Sequence, residues 1–222
     1  MTVSAGIHTF NCSTSSPNGS TDQDASNDAA AQSFTISGAG SGSPLPFTEG
    51  FESSTFAPNG WTLENPDNNA TWERVTTTSG NGNSSACAKM NFYSGNENIS
   101  GQSDYLLTPE LDLTGVSPPL TLDFDLAYCR YGQNNYDSLI VWGSTDCGAS
   151  WTRLWQEGDT QLATAADNTQ EWTAGSNDWK SVSINLNSFI GNGVFQVRFH
   201  AYSFWGNNLF IDDINLSGAT SS

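Results

Sequence analysis

Positive charge is what this chain has least of. Six Lys and Arg stand against 23 Asp and Glu, a formal net charge of −17 over 222 residues. A phosphate backbone would be repelled, which argues against nucleic-acid binding. Histidine is almost missing: His8 and His200 lie at opposite ends and no HExxH occurs, so a zinc hydrolase centre lacks its ligand set. None of the four cysteines (Cys12, Cys87, Cys129, Cys147) has CxxC spacing, so a zinc ribbon is not supported. No run approaches the roughly 20 apolar residues of a membrane span. No segment sustains a helical period. The opening Met1 to Gly6 has neither a basic region nor an apolar core, so it does not read as a signal peptide. A secreted origin would make the chain an internal piece of something longer.

What is abundant is Asn, Ser, Thr and Gly, with charged residues at only 13%. Polarity without Lys and Glu favours strands joined by many turns, and an extracellular setting. Leu122, Phe124 and Leu126 alternate strictly within residues 120–128, and residues 138–144 form an apolar run suited to a central strand. Residues 120–131 and 138–145 read as a hairpin turning near Asn134, and residues 76–85 as a mobile loop. Lys180 to Leu186 and Val194 to Tyr202 read as further strands, with Val194, Gln196, Arg198 and His200 sharing one parity. This spacing of short strands predicts an all-β, two-sheet sandwich. Residues 1–38 hold two strand-like runs, a β-hairpin appendage. Residues 39–46, rich in Gly and Ser, read as a linker. The main domain is expected over 47–217, with 218–222 as a tail. For the thiols, a Cys87–Cys129 disulfide and free buried cysteines both stay open.

The run Leu209-Phe210-Ile211-Asp212-Asp213-Ile214 places two carboxylates in an apolar strand, where neighbours point to opposite faces. A buried carboxylate requires a cation or a dense set of donors. Glu52, after the first strand of the core, is the natural counterpart. The first and last strands are therefore expected to share a calcium ion through Glu52 and Asp212. The alternative is that these acids cap strand ends in water. The loop from Glu64 to Thr71, around Asp67, is dense in the oxygen ligands calcium takes, without EF-hand spacing.

Two further readings concern ligands. Tyr202, Trp205, Asn207 and Asn208 form a loop of aromatics beside amides, suited to sugar faces and hydroxyls, and Tyr131 and Trp172 lie in loops that could join it. Alternatively, Trp205 folds back as a plug over the sandwich end. Asp123 and Asp125 share one strand face about 7 Å apart, which admits a lectin-fold glycoside hydrolase. Solvent-facing aspartates on a one-sided strand give the same pattern. No nucleophile-elbow pattern accompanies His200.

The ordered motifs Phe51-Glu52, Pro58-Asn59-Gly60-Trp61, Asp67 to Trp72, Tyr105-Leu106-Leu107-Thr108-Pro109, Asp146-Cys147-Gly148-Ala149-Ser150-Trp151 and Asn207-Asn208-Leu209-Phe210-Ile211-Asp212-Asp213-Ile214 resemble the cleaved-adhesin or choice-of-anchor-J type jelly roll. These are modules of secreted Bacteroidetes proteins, including gingipain haemagglutinin regions, and are distantly similar to MAM domains. The resemblance spans nearly all of residues 47–217. It implies a jelly-roll β-sandwich of the galactose-binding or MAM-like kind, with structural calcium near the first and last strands. Glu52 and Asp212 are the implied ligands, with Asp213 and the Asp67 loop as further candidates. Asn68 and Asn69 stand where relatives often carry acids.

Residues 1–38 resemble the end of the immunoglobulin-like module that often precedes this domain in secreted metalloproteases. The implied role is a non-catalytic, calcium-stabilised accessory module, secreted or attached to a cell surface. Its work would be adhesion or carbohydrate targeting, with polysaccharide or surface glycoprotein as partner, alongside other domains of a parent protein. A structural spacer or filament module pairing through its N-terminal strands is the other implied role.

Overall fold

The computed structural model describes residues 6–15, 19, 24, 26, 28–36, 42–81, 84–93 and 100–220. Strands β1 (Gly6–Ser13) and β2 (Ala29–Ile36) pair with each other as a separate antiparallel hairpin. The main domain follows with β3 (Phe47–Glu49), β4 (Thr62–Glu64), β5 (Trp72–Val75), β6 (Cys87–Met90), β7 (Ser103–Leu107), β8 (Leu111–Asp112) and β9 (Val116–Tyr128). Then come β10 (Ser138–Ser144), β11 (Thr152–Gly158), a single turn of helix α1 (Asp159–Leu162), β12 (Lys180–Asn185), β13 (Val194–Tyr202) and β14 (Leu209–Thr220).

These strands form two six-stranded sheets. One runs β11-β10-β13-β7-β4 with β8 on β13; the other runs β12-β9-β14-β6-β5 with β3 on β14. Alternation does the folding work. Leu122, Phe124 and Leu126 of β9 and Val197, Phe199 and Ala201 of β13 turn inward, with Leu139 and Val141 of β10 and Leu106 of β7. Phe124 meets Phe199 edge to face across the two sheets, centroids 5.4 Å apart, so the core is aromatic where the layers touch. A smaller cluster on the back of the second sheet gathers Cys87, Ala127, Cys129, Trp172, Trp179 and Phe210 under residues 165–179.

Several expectations change here. Residues 120–131 and 138–145 are not a hairpin: β9 pairs with β12 and β14, whereas β10 pairs with β11 and β13. The chain crosses between sheets after Tyr128, so a turn signal gave the reversal but not the layer. Cys87 and Cys129 are both buried free thiols, not a disulfide. Cys129 Sγ donates to the carbonyl of Ala166 at 3.1 Å. The supposed tail is shorter than expected, because β14 continues through Thr220 against Val116. The linker's described end docks on the domain: Ser43 N–H bonds the Glu110 carbonyl and Leu45 packs on the core. Residues 37–41 and most of the turn-rich stretch between β1 and β2 lie outside the described residues.

Candidate ligand-binding end and cation sites

The aromatic end is built around a buried acid. Asp137 ends the β9–β10 crossover with no solvent exposure. Its Oδ1 accepts the backbone N–H groups of Phe204 (2.8 Å) and Gly206 (3.1 Å), and its Oδ2 accepts the Tyr128 hydroxyl (3.1 Å). The Tyr128 oxygen in turn accepts Asp137 N–H at 2.8 Å. Burial raises the Asp137 pKa to about 7 despite these donors. The β13–β14 loop is thus wrapped around a carboxylate. Trp205 adopts φ +62° at its apex, a conformation that a bulky residue accepts only where the surroundings impose it.

The consequence is outward presentation. Phe204 is 45% and Trp205 52% exposed, with Tyr202 at 38% and Tyr131 at 37%. Tyr136 lies 5.5 Å from Phe204 and Tyr131 stacks 6.4 Å from Tyr93, ring centre to ring centre. Trp205 is therefore no plug. By contrast, the ligand-facing expectation for Asn207, Asn208 and Trp172 gives way. Asn207 is fully buried: its Nδ2 donates to the carbonyls of Asn168 and Gln170, and its Oδ1 accepts Trp172 N–H. Asn208 donates to the Trp172 carbonyl and accepts Tyr93 N–H. Trp172 itself packs edge-on against Phe210. These amides satisfy irregular buried backbone, as such segments require.

The acids on the last strand converge on one loop. Asp212 is fully buried, and its carboxylate accepts Gly80 N–H (2.7 Å), the Ser84 hydroxyl (2.5 Å) and Asp213 N–H (2.8 Å). Asp125, opposite it on β9, accepts Asn81 N–H (2.7 Å) and the Ser181 hydroxyl (2.6 Å). Glu52 accepts Ser85 N–H (2.7 Å) and its hydroxyl (2.6 Å), and Ala86 N–H (3.2 Å). The expected mobile loop is thus fastened where it is described, acting as a cradle of donors. Gly80 is needed there, since a β-carbon would sit 2.7 Å from Asp213 Oδ2 and 3.1 Å from Asp125 Oδ2. Burial raises Asp212 to about 6, whereas the Ser85 donors lower exposed Glu52. A cleft lined by Glu49, Glu52, Ser84, Asp213 and Asn215 opens beside this cluster. In it Asn215 Oδ1 is buried without a hydrogen-bond partner, and burial raises Glu49.

Asp67 lies elsewhere, in the β4–β5 loop, where its charge acts on buried Asp104 of β7. Burial raises Asp104 to about 6, and Thr71 is close enough to favour its ionised form. Yet Asp104 Oδ1, Thr71 Oγ1, Asn65 Oδ1 and Asn91 Oδ1 are all buried without a partner at normal hydrogen-bond geometry. Asn65 follows the Glu64–Tyr105 pair, and Asn91 N–H reaches the Thr71 carbonyl, so these oxygens belong to one neighbourhood. Among the described residues no three His, Cys, Asp or Glu side chains form a ready-made metal cage. Hard cations also take amide and hydroxyl oxygens, however, and both neighbourhoods offer those. Sequence reading missed Asp104 because it heads an unremarkable apolar strand.

The hydrolase pair is differently occupied. Asp125 belongs to the cradle, while Asp123 accepts the Thr121 hydroxyl at 3.0 Å. His200 stacks on Tyr105 at 4.6 Å, accepts Trp142 Nε1–H and meets Ser103 Oγ. Burial, then Arg198, lowers its pKa to about 4, so it is a neutral packed residue.

No protein-family model matches the chain, and no curated protein matches it in sequence. Solved structures do. The K1 cleaved adhesin domain of Lys-gingipain from Porphyromonas gingivalis superposes with a TM-score of 0.54 at 18% identity, covering 78% of this chain and 98% of that one. The chain has the cleaved-adhesin fold. The K2 domain of Lys-gingipain gives 0.54 at 21% identity over 77% of this chain and 98% of its own. The K3 domain gives 0.53 at 22% over 73% and 93%. The motif order in residues 47–217 and the superposition agree on a two-sheet adhesin-type sandwich. Among the described residues no helix is long and apolar enough to cross a membrane.

Proposed function

We propose that this chain is a non-catalytic adhesion module of a secreted bacterial protein that binds carbohydrate at the aromatic end of its sandwich. The observation that carries the reading is the Asp137 knot. A protein gains nothing in stability by holding Phe204 and Trp205 out in water on a strained, buried-acid anchor, and rigid exposed aromatics are what sugar faces stack on. Tyr202 and Tyr131 extend that surface. Polysaccharide or surface glycoprotein is the partner this chemistry suits.

Calcium supports the scaffold in this reading. Glu52, Asp212 and Asp213, with Glu49 and Asn215, would hold an ion at the cleft beside the last strand. Asp67 and Asp104, with Asn65, Thr71 and Asn91, would hold one between β4, β5 and β7. What supports it is the set of buried oxygens without partners, which a divalent ion would satisfy. The reading is tested by affinity electrophoresis through gels laced with polysaccharides, with tryptophan fluorescence as a second readout. Retardation and a fluorescence change, both lost in Trp205→Ala, are expected. Their absence across a broad glycan set defeats the reading.

A further inference from the structure

The outer face of the β11-β10-β13-β7-β4 sheet carries a row of aromatic and basic side chains. Residues that point away from the core there are Tyr105 on β7, Arg198 and Tyr202 on β13, Trp142 on β10 and Arg153 on β11. Register places Arg198 opposite Trp142, and Trp142 opposite Arg153. The guanidinium carbon of Arg198 stands 4.2 Å from the Trp151 ring centre, 4.8 Å from Tyr105 and 5.6 Å from Trp142.

Arg198 is unusual among the six basic side chains. Lys89 pairs with Glu73 and Glu171, Arg130 with Asp159 and Asp167, and Lys180 with Glu157. Arg74 donates to the carbonyls of Phe51 and Glu52. Arg153 bonds Gln156. Arg198 makes no hydrogen bond or ion pair among the described residues, and its Nε is shielded from water with no partner. In a chain with 23 acids, three aromatic rings surround this guanidinium, and Glu64, which pairs with Tyr105 in register and acts on Arg198 through its charge, forms no ion pair with it. The planar fork of Arg198 matches a carboxylate in two-point fashion, and the rings fix it in place beforehand.

We infer that the glycan recognised by this module is a uronate polymer, whose carboxylate docks on Arg198 while its sugar faces stack along Tyr202 toward Phe204 and Trp205. Tyr202 is four residues from Arg198 on the same strand face, about 13 Å away at 3.3 Å per residue, a distance that spans more than one sugar unit. This rests on the proposed carbohydrate-binding role and specifies its ligand class. The net charge of the chain repels a polyanion at long range, but at 0.1 M salt that repulsion is screened beyond about 10 Å. Recognition is thus local, and Arg153 at the end of the row adds a second cation.

The test is affinity electrophoresis of the whole chain against four polymers at 0.1 M salt and fixed calcium: polygalacturonate, the same polymer fully methyl-esterified, a neutral galactan, and polyglutamate. The expected result is retardation by polygalacturonate that falls at least tenfold on esterification and at least tenfold in Arg198→Gln. The ester comparison needs no mutation, so it stands even if Arg198→Gln folds poorly. Equal retardation by acid and ester, or by polyglutamate and polygalacturonate, overturns the inference. Retardation by galactan alone overturns it and leaves the carbohydrate reading intact, whereas no retardation by any polysaccharide overturns both.

Discussion

Gly206 lies so close to Asp137 that nothing larger than hydrogen fits between them: a β-carbon there would overlap Asp137 Oδ2 and crowd the Tyr128 hydroxyl. The glycine thus lets the loop close on the acid, and the acid fixes where Phe204 and Trp205 point. Gly206→Ala forces the loop off Asp137. Overpacking at such a site costs about 1–3 kcal/mol. The expected outcome is a midpoint of thermal unfolding lower by roughly 2–12 °C for a chain of this size, with glycan binding lost in the protein that remains folded. A variant with an unchanged midpoint would mean that the loop is not anchored here.

Buried acids set the pH response. Asp104 and Asp212 both sit near 6 in the folded state, well above the ordinary carboxylate value. A raised acid binds its proton more tightly folded than unfolded, so its contribution is fully present below about pH 4 and lost as pH rises through 6. In a chelator, the midpoint should therefore fall between about pH 4 and 7. Calcium should reverse that fall at neutral pH and do little at pH 4, where Asp104 and Asp212 hold their protons. At a hundredfold excess over Kd the gain is about 3 kcal/mol, or roughly 5–10 °C. Scanning calorimetry with and without chelator reads both effects; an identical pH profile in the two buffers contradicts the calcium proposal.

The two cation neighbourhoods separate by mutation. Asp104→Asn and Asp212→Asn each leave an amide in place of a carboxylate, and each should remove part of the calcium-dependent rise. If only Asp104→Asn does so, the donors of Gly80 and Ser84 suffice for Asp212 and the ion belongs between β4, β5 and β7. Isothermal titration with calcium on both variants gives the count directly.

Thiol chemistry checks the core. Cys12 and Cys147 are exposed, Cys87 and Cys129 buried, and none is bridged. Burial raises the Cys129 thiol to about 11 and Cys87 further, so neither offers thiolate at neutral pH. A chromogenic disulfide reagent should titrate two thiols in the native protein and four in denaturant. Two in denaturant would mean a Cys87–Cys129 bond.

Much of the sandwich was legible because alternation is a local signal: Leu122, Phe124 and Leu126 face the core as their parity requires. The β9–β10 hairpin was not, because turn residues announce a reversal without saying which sheet the next strand joins. Tyr131, Tyr202 and Trp205 are exposed as the ligand reading needs. Asn207, Asn208 and Trp172 have the same composition but are consumed by the chain's own backbone, which no local pattern reveals. Arg198 was visible only as one member of a parity class. Its rings come from Tyr105, Trp142 and Trp151, on or beside three other strands, and only the register brings them together. Asp67 and Asp212, both read as candidate calcium ligands, belong to separate neighbourhoods for the same reason.

The most direct measurement is the binding of Trp205→Ala alongside its thermal midpoint. Trp205 is half exposed, so truncation should leave the midpoint within about 1–2 °C, a surface effect of at most about 0.5 kcal/mol. Retardation by the polysaccharide that binds the parent chain should fall at least tenfold. Unchanged retardation at an unchanged midpoint would contradict the account, because the ring presented to solvent at the sandwich end would then bind nothing.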